Sequence, residues 1–161
     1  WLGVRAIAVD EAGTAWIGTS GKGMAKFDGN EWKVFNQENS GFPSKHVHAI
    51  AIADNGRKWI GTDEEGVASF DQGSWTTYHT NNSELPSNKI NTIAIDSANN
   101  KWVATHEGVA KYNGSQWTVL TEHNSQLPDD HVTDFAFADS GNLWITTRGG
   151  IGILLNPFGI S

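Results

Sequence analysis

His106-Glu107 is the pairing in this chain best suited to proton transfer, an imidazole that titrates near neutrality beside a carboxylate. Adjacent residues on a strand point to opposite faces, although a turn relaxes that objection. His46, His48 and His131 invite a metal reading, with His46 and His48 two residues apart on one strand face. Zinc needs three or four ligands converging within about 2.0–2.3 Å, and His131 lies too far along the chain to be brought in by local structure. Asp54-Asn55-Gly56 opens like a calcium loop but lacks the later acidic ligand. There is no G-x-S-x-G elbow, no Walker-type loop and no cysteine. No catalytic residue is therefore assigned, and neither a metal nor another cofactor is expected.

The bulk chemistry narrows the partners. A formal charge of −7, with no cluster of Lys or Arg, argues against nucleic acid, whose phosphates need basic patches. No apolar run approaches the roughly 18 residues that cross a bilayer, so this segment is not expected to insert in a membrane. The chain opens at Trp1 without a charged and then hydrophobic leader, which reads as a mature form. Eighteen glycines and eight tryptophans suit many short strands joined by tight turns.

What would position those side chains is a repeat. Ala15-Trp16-Ile17-Gly18-Thr19 returns as Lys58-Trp59-Ile60-Gly61-Thr62, Lys101-Trp102-Val103-Ala104-Thr105 and Leu143-Trp144-Ile145-Thr146-Thr147, with tryptophans 43, 43 and 42 positions apart. An alternating strand precedes each: Val4 to Val9, Val47 to Ile52, Ile90 to Ile95 and Val132 to Phe137. Both faces of these strands are apolar, as in strands covered on both sides. A third strand follows at Gly23 to Phe27, Gly66 to Phe70, Gly108 to Tyr112 and Gly150 to Leu154. Hairpins at Asp28-Gly29, Asp71-Gln72-Gly73 and Asn113-Gly114 lead into fourth strands at Trp32 to Phe35, Trp75 to Tyr78 and Trp117 to Leu120. Links of the form Asn-Ser-x-Leu/Phe-Pro close each unit, their large apolar residue anchoring the crossing to the next sheet.

Four antiparallel strands in about 42 residues, unable to bury two apolar faces alone, make the blade of a β-propeller. The expected fold is all-β, with blades at about 4–43, 44–86, 87–128 and 129–161. Asp-x-x-Gly-x-x-Trp-Ile-Gly-Thr, Gly-Val-Ala-x-Phe-Asp-Gly-x-x-Trp and Asn-Ser-x-Leu-Pro together resemble the two-component regulator propeller repeat, from Val4 to about Leu155. Asn99 departs at the turn glycine, and Ala104 and Thr146 at the glycine after Trp-Val/Ile. The resemblance implies propeller sensor regions, often the extracytoplasmic input of bacterial histidine kinases, or free-standing secreted propellers; the implied location is periplasmic or extracellular. Gly159 aligns with the second Trp and Trp1 to Gly3 with link residues. The expectation is three whole blades plus three strands of a fourth, either a piece of a larger propeller or half of a two-copy ring.

Residues that recur in every unit have structural duty, so binding is sought where equivalent positions differ. The second residue of the first strand is Arg5, His48, Asn91 or Thr133. On an alternating strand it shares a face with Ile7, Ile50, Ile93 or Phe135 and forms a polar ring at the channel mouth; strand ends beside a wet channel are polar anyway. Asp134 stands where the other repeats have Ala6, Ala49 and Thr92, a carboxylate on a packing face that needs a partner such as His131 or a position in channel water. The turns after the Trp strands carry Lys22, Asp63-Glu64-Glu65, His106-Glu107 and Arg148 on the same rim. Arg5, His48, Asn91, Thr133, Asp134, His106 and Arg148 are thus the ligand-binding candidates, for a small molecule, a glycan or a protein. The alternatives are a homo-oligomer completing the ring and a lyase or hydrolase using rim His and Glu residues.

Overall fold

The computed structural model describes residues 3–155. Four antiparallel sheets follow one another along the chain, each wound strand next to strand. They are β1 (Val4–Val9), β2 (Ala15–Thr19), β3 (Met24–Phe27) and β4 (Trp32–Phe35); then β5 (Val47–Ile52), β6 (Lys58–Thr62), β7 (Val67–Asp71) and β8 (Ser74–Tyr78). The third holds β9 (Ile90–Ile95), β10 (Lys101–Thr105), β11 (Gly108–Tyr112) and β12 (Trp117–Leu120), and the last β13 (Val132–Phe137), β14 (Leu143–Thr147) and β15 (Gly150–Leu154). Among the described residues there is no helix long and apolar enough to cross a membrane. The expected alignments of Gly159 and Trp1 lie outside the described residues.

Each sheet packs on the next through one apolar layer. Trp16, Met24, Phe35 and Phe42 meet Val47, Ile60 and Ala68. Trp59, Val67 and Leu85 meet Ile90, Ile93, Val103 and Ala110, and Trp102, Val109 and Leu127 meet Val132, Leu143 and Ile145. The sheets sit close because the residue after Trp-Ile is small: a Cβ on Gly18 would lie 2.3 Å from Val47 Cγ1, and one on Gly61 2.6 Å from Ile90 Cγ2. First strands touch in succession, β1 on β5, β5 on β9 and β9 on β13, as the innermost strands of a propeller must.

The repeated polar residues hold the turns. Thr19, Thr62 and Thr105 donate their hydroxyls to the carbonyls of Gly23, Gly66 and Gly108. Asn39, Asn82 and Asn124 accept from the backbone N–H of Asn36, His79 and Thr121 and donate to the carbonyls of Val34, Thr77 and Val119. Phe42, Leu85 and Leu127 before the prolines are buried, which anchors each link as the sequence predicts.

Two sequence expectations need correction. The first strands of the outer sheets are not covered on both faces: Val4, Ile7 and Val9 are 63, 66 and 62% exposed, whereas Val47 is fully buried. The second concerns the first residues of these strands. Val4 pairs with Thr19 but Ala6 with Gly18, and the same slip recurs at Val47/Ala49, Ile90/Thr92 and Val132/Asp134. One extra residue sits opposite each slip, a β-bulge that breaks the two-residue alternation. Val47 and Ile50, three apart, consequently share one core, as do Ile90 with Ile93 and Val132 with Phe135. The bulged residues are Arg5, His48, Asn91 and Thr133, which do not share the Ile face.

Candidate rim site

A bulge re-aims the side chain it carries, and here it turns the second residue of each first strand away from the packed layer. The neighbouring backbone forms one continuous rim. Amides of the turns after β6, β10 and β14 donate to the links entering those sheets: Asp63 to His46, His106 to Lys89 and Arg148 to His131. Gly23, Gly66 and Gly108 donate forward to Lys45, Asn88 and Asp130 in the following links. Turns and links are therefore stitched together from one sheet to the next.

On this rim two polar groups form. In the first, Arg5 Nη1 donates to His48 Nε2 at 3.1 Å. Guanidinium nitrogens only donate, so His48 Nε2 is the acceptor of this bond. Asp63 lies 4.0 Å from the same nitrogen, beyond bonding distance. In the second group, Asn91 donates Nδ2–H to the Val132 carbonyl at 2.6 Å, and its Oδ1 lies 3.2 Å from His106 Nε2. That oxygen can only accept, so His106 carries its proton on Nε2 and keeps Nδ1 free. The rings of His106 and His131 pack against each other with centroids 4.0 Å apart and planes tilted by 44°. Burial, then the neighbouring His131, Lys89 and Arg148, push the His106 pKa below its ordinary value, against Asp63. Burial and then Arg148 do the same to His131, against Asp129. A cleft of about 560 Å³ opens beside His106 between the second and third sheets, lined among others by Glu64, Asn88, Lys89 and Glu107.

The sequence candidates separate in space. Arg5 meets His48, and Asn91 meets His106, while Arg148 is joined to the second group through His131. Thr133 turns back into its own sheet, its hydroxyl 2.8 Å from Thr146 Oγ1 and 3.1 Å from the Thr146 carbonyl oxygen. Asp134 is exposed, the solvated one of the two settings expected for it, and its Oδ1 accepts from the Phe135 amide. Its equivalent Ala49 is buried against the following sheet, but beyond the fourth sheet no such cover is present among the described residues. His46 is exposed and precedes β5, so it does not share a strand face with His48. Sequence reasoning missed the His106–His131 ring contact, because it joins a turn to a link across one sheet end. It also missed Glu122, His123 and Asp130, whose ligand atoms lie within 4.8 Å of one another on the surface.

Among known proteins, the family model described as two component regulator propeller matches residues 126–149. The fold is similar to an extracellular domain from B. thetaiotaomicron described as part of a hybrid two component system, with a TM-score of 0.83 and 25% identity over 98% of this chain and 22% of that one. A second extracellular domain from B. thetaiotaomicron, described as belonging to a one component system, has a TM-score of 0.76 and 17% identity over 96% and 22% of the two chains. The chain thus spans about a fifth of the length of either. Virginiamycin B lyase from Staphylococcus aureus, solved with quinupristin, has a TM-score of 0.74 at 12% identity, over 98% of this chain and 57% of the lyase; this likeness is one of fold. No curated protein matches the sequence. Four in-register units, in a fold similar to that of extracellular sensor domains, make this chain a β-propeller segment, and its residues 126–149 match the two component regulator propeller repeat.

Proposed function

We propose that the chain is a recognition segment of an extracytoplasmic sensor propeller, and that it binds its ligand on the rim where the bulged residues emerge. The observation that carries this reading is the bulge itself: all four first strands place a different polar residue at the bulged position, and Arg5, His48 and Asn91 bond there from one sheet to the next. A rigid scaffold with one variable position per repeat suits recognition, because specificity changes there without disturbing the core. The similarity to extracellular sensor domains supports the location and the sensory role. In the test, purified chain is screened by thermal shift against oligosaccharides, amino acids and short peptides. A ligand whose stabilisation is lost in Arg5→Ala/His48→Ala, with the unliganded melting temperature intact, supports the rim. Stabilisation that survives changes at Arg5, His48, Asn91 and His106 places recognition elsewhere and sinks it.

A second reading, assembly of copies into a ring, is favoured by the exposed apolar strip of Val4, Ile7 and Val9. The fold shared with a lyase keeps an acid–base role for His106 testable, since Asn91 engages its Nε2 and not its Nδ1. Turnover of quinupristin lost in His106→Ala would favour that role over binding alone.

A further inference from the structure

We propose that Glu122, His123 and Asp130 hold a divalent metal ion, zinc by their donor set, on the link between the third and fourth sheets. The inference is independent of the ligand reading above, since Arg5, His48, Asn91 and His106 take no part in it. Nor does it use His46, His48 and His131, among which the sequence alone invites a metal.

One ligand atom from each of the three residues lies within 4.8 Å of the other two. His123 Nδ1 is 3.6 Å from Glu122 Oε1. Two donors held about 2.0–2.2 Å from a tetrahedral zinc lie about 3.3–3.6 Å apart. One imidazole and two carboxylates form the mixed nitrogen and oxygen set that zinc takes, whereas calcium and magnesium prefer oxygen alone. Asp130 is partly buried, and its Oδ1 accepts the Glu122 amide at 2.7 Å, which ties this carboxylate to the turn that carries the other two ligands. The Glu122 and His123 side chains are 47 and 82% exposed, so the site opens to solvent and leaves a coordination position for water or for a donor atom of a ligand.

The other repeats show that the fold does not require these residue types. Glu122, His123 and Asp130 align with Thr80, Asn81 and Asn88 in the second unit and with Gln37, Glu38 and Lys45 in the first. Asn88 performs the same backbone duty as Asp130, its Oδ1 accepting the Thr80 amide at 2.9 Å, so a neutral amide is enough to close the link. The positions face concave surface: Gln37, Glu38 and Lys45 line one cleft of about 150 Å³, and Thr80 and Asn88 line the 560 Å³ cleft. What changes in the third unit is the charge. The first link carries its own cation in Lys45 and the second in Lys89, but residues 121–131 hold Glu122, Asp129 and Asp130 with no Lys or Arg. Carboxylates this close repel one another, and a divalent cation held between them removes that repulsion.

The experiment is calorimetric titration of the whole chain with zinc chloride, in a buffer that does not bind metal, and the expected result is one zinc per chain. Glu122→Thr, His123→Asn and Asp130→Asn install the residues of the second unit, which the same link already accommodates. Outer partners of a metal ligand are worth about 10–100-fold in affinity, so loss of a ligand itself should cost at least about tenfold. The melting temperature without metal should stay unchanged in each variant, while the rise that zinc gives the parent chain should be lost. Among the imidazole resonances of the six histidines, that of His123 should respond first to zinc. Absence of zinc binding overturns the proposal. So does zinc binding that persists in His123→Asn/Asp130→Asn, which would place the ion on other histidines, and calcium binding that His123→Asn leaves unchanged, which would remove the imidazole from the site. Several weak sites per chain, unaltered in every variant, would show an adventitious ion only and sink it equally.

Discussion

At Trp59 the repeat leaves a buried indole N–H without an acceptor among the described residues. Two of its three counterparts are served by an aspartate six residues earlier: Trp16 donates to Asp10 at 2.9 Å and Trp102 to Asp96 at 2.8 Å. The second repeat has Ala53 there, 3% exposed. A second consequence appears one sheet on. Lys58 reaches back 3.4 Å to Asp10, whereas Lys101, with no aspartate to meet, turns to the Asn99 carbonyl at 2.6 Å. Burial and then Arg57 push the Lys101 pKa down, against Asp96 and Asp54. At Asp10 burial works to raise the pKa, but the Trp16 indole, the Thr14 amide and Lys58 outweigh it and hold the carboxyl below its ordinary value. Ala53→Asp should recreate that setting and stabilise the fold by about 1–2 kcal/mol in urea denaturation; destabilisation would show that the site cannot accept a carboxylate. His106 and His131 yield a second prediction. Both have pKa values lowered on folding, so below the ordinary value of 6.5 the unfolded chain binds more protons than the native one. Stability then rises with pH across the window between the lowered native values and 6.5, and is lost on acidification through it. Urea midpoints from about pH 7.5 down to about pH 5 should fall, and His106→Gln should flatten the fall. An unchanged slope in that variant would put the effect elsewhere.

At the scale of the strand, the close approach of neighbouring sheets is set by one small residue against one β-branched residue. Gly18 faces Val47 and Gly61 faces Ile90, while the third interface holds Ala104 and Val132 in one core. The third interface therefore tolerates one more methyl against a residue one methylene smaller than Ile90. Gly61→Ala should cost about 1–3 kcal/mol by overpacking. Combined with Ile90→Val, it should recover at least about 0.5 kcal/mol beyond additivity in a double-mutant cycle. Strict additivity would mean that the sheets yield by moving apart. This pairing was half legible in the sequence. The strands were readable because every turn signal recurs in register, and the observed bounds differ from the expected ones by a residue at Met24, Val67, Asp71 and Ser74. The bulges were hidden, because reading by alternation puts Arg5 beside Ile7 and His48 beside Ile50. A signal was present: large apolar residues three apart, Val47/Ile50, Ile90/Ile93 and Val132/Phe135, where an unbroken strand would place them two or four apart. The ring contact of His106 with His131 had no such signal, since nothing in a linear pattern tells which turn end lies over which link.

For the molecule as a whole, the three interior interfaces show what each sheet needs on either side, and among the described residues the two outer faces lack it. The first sheet presents Val4, Ile7 and Val9, the positions that Val47, Ile50 and Ile52 fill against the first interface. The fourth presents Trp144, 42% exposed, and Ile151, 65% exposed, the counterparts of Trp16 and Met24. These faces match in kind, so the chain expressed alone should associate head to tail, in an interface of the same type as its internal ones. One residue opposes it. Thr146 stands where Gly18, Gly61 and Ala104 admit the next first strand, and in head-to-tail register it would meet Val4. Association is therefore expected to be weak, concentration-dependent in sedimentation velocity, abolished by Ile7→Asp and tightened by Thr146→Gly. If Thr146→Gly leaves it unchanged while Ile7→Asp abolishes it, copies meet through the first face alone. A monomer at every concentration would remove assembly as a role for this chain, and would leave the rim, where Arg5, His48, Asn91 and His106 emerge, as the surface through which it acts.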